Sequence, residues 1–327
     1  MNSKSMVRSV AVALALVVLA VPAFAKDGAL SLVPANAATV GVVKLSDMRT
    51  SPLSSMLFQH TDKMSADGEA QKFLTDAGLS LSKDVDLLVV ATIPRSTLGS
   101  EADVLVVVEG RFQADRLTKA LLTRGAVRKG GYLLLPEEKA DGDRGAVAFP
   151  SGSLAIAGTE GAVAAALTAR ANGGTGFPAA SGIGHELHRI APSATAWALV
   201  DVTRAARLTH GGTVSTGKGP QGDALAAALK SVSTMAVWAT DTGDSLNLGA
   251  FGVSTDQETL GLLEDTVRGA LSAMRLAIKD KQPEMVTLLR RFEVDKTSDS
   301  VTVTGSIPAS TLRDLAKKHA AVATSAK

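Results

Sequence analysis

The chain has no cysteine among its 327 residues. This excludes disulfides, thiolate metal sites, cysteine nucleophiles and a lipid anchor on cysteine. Aromatic residues make up only 3% of it, too few for a platform that stacks sugars or bases. Neither sign of charge dominates, with 34 Lys and Arg against 32 Asp and Glu, so no strong field favours nucleic acid. After the first 25 residues no apolar run is long enough to span a membrane. What remains is a composition of 46% hydrophobic and 20% charged residues, suited to a packed globular protein.

The amino-terminal stretch carries the clearest signal. Lys4 and Arg8 form a positive start, Val10 to Val21 is an unbroken apolar run, and Pro22 ends it. Ala23-Phe24-Ala25 then places small residues where a signal peptidase reads. The run is shorter than the roughly 20 apolar residues of a membrane-spanning helix. Residues 1–25 are therefore expected to be a secretory signal cleaved after Ala25, leaving a periplasmic or secreted chain with no membrane span. Loss of Lys4 and Arg8 leaves 32 residues of each sign, so the basic pI of 8.8 belongs partly to the discarded segment. Without disulfide staples, stability must come from a packed core.

Two halves of the mature chain echo each other. Pro34 precedes the apolar run Thr39–Leu45 and then Asp47 and Arg49; Pro192 precedes Thr195–Val200 and then Asp201 and Arg204. Each reads as a strand passing into a helix with an Asp near its start. Val85–Thr92 matches Val232–Thr240, and each is followed by a turn and a second strand, Asp103–Glu109 and Ser245–Val253. Amphipathic helices follow, marked by Phe112, Leu117, Leu121 and Leu122 and by Leu260, Leu263, Val267, Leu271, Met274 and Ile278. Thr255 and Glu258 have the spacing of a capping box. The last block pairs Arg144–Phe149 and Leu154–Thr159 with Arg291–Lys296 and Val301–Ser306, ahead of a helix expected from Pro308. Gly158 and Gly305 lie 147 residues apart, as do Arg144 and Arg291.

The expected fold is α+β: two tandem similar units, each an antiparallel sheet with helices packed on one face. The units span residues 26–175 and 185–320. A linker at 176–184 follows the glycine-rich join 171–176, and 321–327 is a disordered tail. This duplicated layout, with its proline, apolar strand and Asp, resembles exported bacterial proteins of the domain-of-unknown-function type. The resemblance implies an exported α+β repeat protein and transfers no catalytic residue.

Several motifs resolve into architecture. Gly212–Lys218 has most of a phosphate-binding loop, but Gly219 stands where Ser or Thr must hold magnesium, and no strand feeds it. Gly217–Gly222 fits G-x-G-x-x-G, with Asp241 about 20 residues on, again without the preceding strand. His185 and His188 lack metalloprotease spacing, and with Ile183, Leu187 and Ile190 forming the buried stripe they face water. His60, His210 and His319 stand singly. Glu137-Glu138 and Asp141 with Asp143 read as turn residues, not as a calcium loop. No G-x-S-x-G elbow is present, and Gly152-Ser153 and Gly305-Ser306 fall at a turn and a cap.

No catalytic, cofactor-binding or metal-ligating residue is assigned, and no cofactor is expected. The reading is an exported, non-enzymatic protein that binds an envelope or extracellular partner and no nucleic acid. Two alternatives stay open: a periplasmic carrier of an apolar or lipid-like ligand, and a hydrolase whose site assembles between the units. Amino-terminal sequencing of the exported protein is expected to begin at Lys26; material retaining Met1–Ala25 contradicts the export route.

Overall fold

The computed structural model describes residues 28–54, 75, 78–95, 101–136, 143–174, 177, 182–208, 231–280 and 283–314. Twelve strands form a single antiparallel sheet in the order β11-β12-β10-β9-β8-β1-β2-β3-β7-β6-β5-β4. At its centre β1 (Thr39–Val43) bonds to β2 (Val85–Pro94) on one side and to β8 (Ala196–Asp201) on the other. Outward from β2 lie β3 (Ala102–Gly110), β7 (Leu154–Thr159) and β6 (Gly145–Ser151). Outward from β8 lie β9 (Thr234–Asp241), β10 (Ser245–Val253), β12 (Ser300–Pro308) and β11 (Glu293–Lys296). The first side continues into β5 (Tyr132–Leu134) and β4 (Val127–Lys129), a short hairpin with no counterpart in the described residues of the second side. The expected α+β class and antiparallel pairing are present, but in place of two sheets there is one, joined through β1 and β8.

Among the described residues the longer helices are α1 (Leu45–Thr50), α2 (Ala114–Thr123), α3 (Glu160–Ala171), α4 (Val202–Leu208), α5 (Gln257–Ile278) and α6 (Pro283–Leu289), and a four-residue helical turn, Leu81–Asp84, leads into β2. Three-residue turns of 3-10 type occupy Leu30–Leu32 and, doubled in length, Gly184–Arg189; residues 309–314 are also helical. The expectation of helices on one face is corrected. Side chains alternate across a strand, and the strands bury both sets. On the front, Val40, Val42, Leu105 and Val107 pack with Ala162, Val163 and Ala166 of α3 and with both 3-10 segments. On the back, Val43, Leu88 and Val106 pack with Met48 of α1 and Leu117 of α2. Farther along the back, Val294 and Val301 pack with Leu260, Leu263 and Leu271 of α5.

Local details refine other expectations. The cap of α5 is Asp256, whose carboxylate accepts the N–H groups of Glu258 and Thr259, so Thr255 lies outside the box. Asp201 does cap, accepting the Arg204 N–H at 2.8 Å, whereas Asp47 sits inside the first turn of α1 and pairs with Lys44 at 3.3 Å. Met274 is exposed and not part of the buried stripe. Pro308 ends β12, one residue before the helical stretch.

Ion pairs tie the sheet margins. Arg189 donates to Glu186 at 2.5 Å and to Asp299 at 2.6 Å, binding the second 3-10 segment to the β11–β12 turn. Arg95 bridges Asp103 and Asp143 at 2.8 and 2.7 Å. Glu160 accepts from Lys129 and Tyr132 at 2.6 and 2.9 Å, tying the start of α3 to the outer hairpin.

Gly158 has a steric reason. Its φ is +145°, and a Cβ there would lie 1.9 Å from the Val104 carbonyl oxygen of the neighbouring strand. Backbone cannot yield as a flexible side chain does, so Gly158→Ala is expected to destabilise the fold by about 3 kcal/mol. Gly130→Ala, at φ +56° with nothing within 4 Å of the added carbon, is expected to cost about 1 kcal/mol. Urea unfolding of both variants checks the difference.

Candidate functional site

A cleft of about 580 Å³ opens where the first described residues cross the end of β3. Its walls include Gly28, Asp86, Glu109, Ser153, Arg170 and Gly174. The β2–β3 pairing creates the acidic side. Leu87 stands opposite Glu109 and Val85 opposite Gly110, so Asp86 is the extra residue of a bulge beside Glu109. Arg49 of α1 reaches Asp86 at 2.7 Å and also donates to the carbonyl oxygens of Ser82 and Val85. The opposite wall is the carboxyl end of α3, where the Gly174 N–H closes on the Ala169 carbonyl at 2.7 Å. Arg170 makes a long contact of 3.4 Å to the Pro150 carbonyl.

The floor is set by residues just after the expected cleavage point. Ala29, Leu30, Leu32 and Val33 are buried in the front core, and the Ser31 hydroxyl donates to the Gly28 carbonyl at 2.6 Å. The Ala29 N–H donates to the Glu109 carboxylate. Glu109 is nevertheless held above its ordinary value, chiefly by burial and further by the charge of Asp86, with the Ala29 bond pulling the other way. Among the described residues no Lys or Arg forms an ion pair with Glu109. The cleft thus combines a partly desolvated carboxylate, a second carboxylate already neutralised from behind, serine hydroxyls and the negative end of a helix. That potential suits a cation.

A second cleft, of about 480 Å³, lies at the other end of the central strands between Lys44, Asp47, Pro192 and Asp241. Asp241 is committed there to structure: its carboxylate accepts the Ser54 hydroxyl and, at 2.7 Å, the Gly243 N–H of the β9–β10 turn.

The sequence motifs end in separate places. Gly212–Lys218 and Gly217–Gly222 lie outside the described residues, as do Glu137, Glu138, Asp141, His60, His210 and His319. His185 and His188 lie exposed on the second 3-10 segment, with Ile183, Leu187 and Ile190 buried beneath them. The ring Nδ1 of His188 lies 2.6 Å from the His185 carbonyl. Asp143 serves the Arg95 network. Among the described residues no group of three His, Asp or Glu side chains is placed to hold a metal ion. No described helix is long and apolar enough to cross a membrane, which says nothing of a β-barrel. Sequence reasoning missed Asp86 and Glu109, which sat inside segments read only as strands.

No protein-family model matches the chain, and no curated protein sequence does. Among solved structures, crystal form I of TP0453 is similar with 8% identity and a TM-score of 0.44, over 90% of this chain and 99% of that one. Crystal form IV of TP0453 gives 10% identity and a TM-score of 0.46, over 88% and 95%. At such values the likeness carries no functional information.

Glu109 gives a pH prediction. A carboxyl whose folded value is raised binds its proton more tightly when folded, so its contribution to stability falls as pH rises through that value. Glu109→Gln is expected to raise the thermal midpoint at pH 7 by about 1–2 °C. The gain should vanish below about pH 4, where the carboxyl is protonated in folded and unfolded chains alike. A gain that persists at low pH contradicts the electrostatic origin.

Proposed function

We propose that this is an exported, non-enzymatic protein, periplasmic or secreted, that binds an envelope or extracellular partner. Its two modules, 26–175 and 185–320, are two copies of one α+β unit joined by the linker 176–184. The strand order supports the duplication: β1-β2-β3-β7-β6 and β8-β9-β10-β12-β11 run outward in the same sequence from the shared pair.

One observation carries the binding reading. Val237 is 53% exposed although β9 is an interior strand of the sheet. It faces the back, as does Val104, and the exposed Leu262, Met274 and Leu276 lie on α5, which covers the outer part of that same face. Large apolar side chains gathered on one side of a protein mark a surface that meets something. The carrier reading has less support, because fully buried Leu105, Ile156 and Phe177 fill the layer between sheet and helices on the front.

The test is capture from the extracytoplasmic fraction by the purified protein. A partner retained by the wild type and lost with Val237→Glu is expected, by tenfold or more in affinity if Val237 is central. Circular dichroism must show the variant folded. Equal capture by both proteins places the interface elsewhere, and turnover in a panel of hydrolase assays overturns the non-enzymatic reading.

A further inference from the structure

We propose that the Asp86–Glu109 cleft binds a guanidinium cation. The proposal rests on the two-copy, partner-binding reading above and deepens it, since an arginine on a polypeptide partner is one source of that group and free arginine is the other.

The chemistry of the cleft is the first argument. Glu109 follows Leu105 and Val107 in the strand alternation, so it faces the front, into the cleft at the end of β3. It accepts the N–H of Ala29, and among the described residues no Lys or Arg forms an ion pair with it. Asp86 beside it is already held by Arg49 at 2.7 Å. Ser151 and Ser153 bracket the β6–β7 turn with their hydroxyl oxygens 3.1 Å apart, and the carboxyl end of α3 closes the far wall. The acceptors thus stand on separate elements. A metal ion needs acceptors that converge on one point, and no three His, Asp or Glu side chains among the described residues are so placed. A planar group with its N–H donors in a fixed fork serves acceptors that are spread apart.

The other half of the sheet supplies the second argument, which is independent of the acidic pair. Ahead of β1 the N–H groups of Val33 and Ala37 donate to the carbonyls of Leu30 and Pro34; ahead of β8 those of Ile190 and Ala194 donate to Leu187 and Ala191. This match sets Leu32 against Arg189. Past β3 the Gly110 N–H donates to the Ser153 carbonyl, and past β10 the Ser254 N–H donates to the Asp299 carbonyl. Glu109 pairs with Leu154 as Val253 pairs with Ser300. Ser153 therefore stands against Asp299 and Leu154 against Ser300. In the second half this corner is filled from within, because the Arg189 guanidinium donates to Glu186 at 2.5 Å, to Asp299 at 2.6 Å and to Ser300 at 3.2 Å. In the first half Leu32, Ser153 and Leu154 line an open cleft together with Glu109. One half carries its own guanidinium at this corner, and the other leaves room and a carboxylate for one from outside.

Of the described lining residues only Arg170 is basic, and it stands on the opposite wall, 3.4 Å from the Pro150 carbonyl. A ligand with a carboxylate beside its guanidinium, as free arginine has, meets Arg170 as well as Glu109. An arginine within a polypeptide has no such carboxylate. The two sources therefore differ in what they ask of Arg170.

Calorimetric titration of the exported protein with Nα-acetyl-arginine amide, free arginine and Nα-acetyl-lysine amide is the test. The capped arginine is expected to bind, more weakly as salt is added, and to lose about tenfold or more in affinity with Glu109→Gln. The amide resonances of Glu109, Gly110 and Ser153 are expected to shift as it binds. The capped lysine, a point donor, is expected to bind about threefold or more weakly than the capped arginine. Free arginine that binds no more tightly than the capped form assigns the site to a polypeptide side chain. Tighter binding of free arginine, with the excess lost in Arg170→Gln, assigns it to the amino acid. No binding of either arginine form, equal binding of capped lysine and capped arginine, or unchanged affinity in Glu109→Gln overturns the proposal. Val237 faces the back, so Val237→Glu is expected to leave these affinities as they are. A partner captured by a protein that binds neither arginine form keeps the partner reading and rejects the guanidinium site; arginine binding with no captured partner does the reverse.

Discussion

Everything in this fold depends on the five residues of β1. Thr39–Val43 bond to β2 along one edge and to β8 along the other, and this β1–β8 pairing is where the sheet's two sides meet. On the front face this pairing merges what would otherwise be two small cores. Val40 and Val42 lie between Val89 and Ala91 on one side and Trp197 and Leu199 on the other, and all belong to one buried cluster reaching from Ala146 to Phe251. Burial at about 25 cal/mol per Å² makes that continuity the main source of stability in a chain without disulfides. The seam is narrow in sequence and wide in consequence.

The strands were legible because their apolar runs are bounded by turn residues and recur in the same order in both halves. The faces on which helices pack were not. A run such as Val85–Thr92 is apolar at nearly every position because it is covered on both sides, so its period does not say where α3 or α2 will lie. The β4–β5 hairpin escaped notice for the opposite reason: Val127–Lys129 is exposed at every position at the sheet edge and carries two cations, the composition of a protected edge and not of a core strand. The acidic cleft was invisible too. Asp86, Glu109 and Arg170 lie far apart in sequence, and it is the β2–β3 bulge and the end of α3 that bring them together.

Several charged side chains in the described structure join elements. Arg189 ties a 3-10 segment to a hairpin turn, Arg95 gathers two aspartates, and Lys129 and Tyr132 share Glu160. In these groups the direction of titration follows the partner: hydrogen bonding to Arg189 lowers Asp299, and hydrogen bonding to Lys129 lowers Glu160. Glu109 runs the other way, with burial dominant over its one donor. It is that reversal, set in a cleft beside Gly28 and Ser31, which separates it from the architectural carboxylates.

The two faces of the sheet treat the halves differently. On the front, pieces from separate parts of the chain close over one core: the Leu30–Leu32 turn, α3, and the Gly184–Arg189 segment all contact the same cluster. On the back, α1 and α2 cover β1, β2 and β3 while α5 and α6 cover β11 and β12, each set with its own cluster. Between them the central strands present the small residues Gly41, Ala198 and Ala250, and Val237 stands exposed among them. Among the described residues the front is closed by shared parts and the back by separate ones, which leaves a strip at the junction. That strip is created by the same β1–β8 pairing that makes the molecule one body.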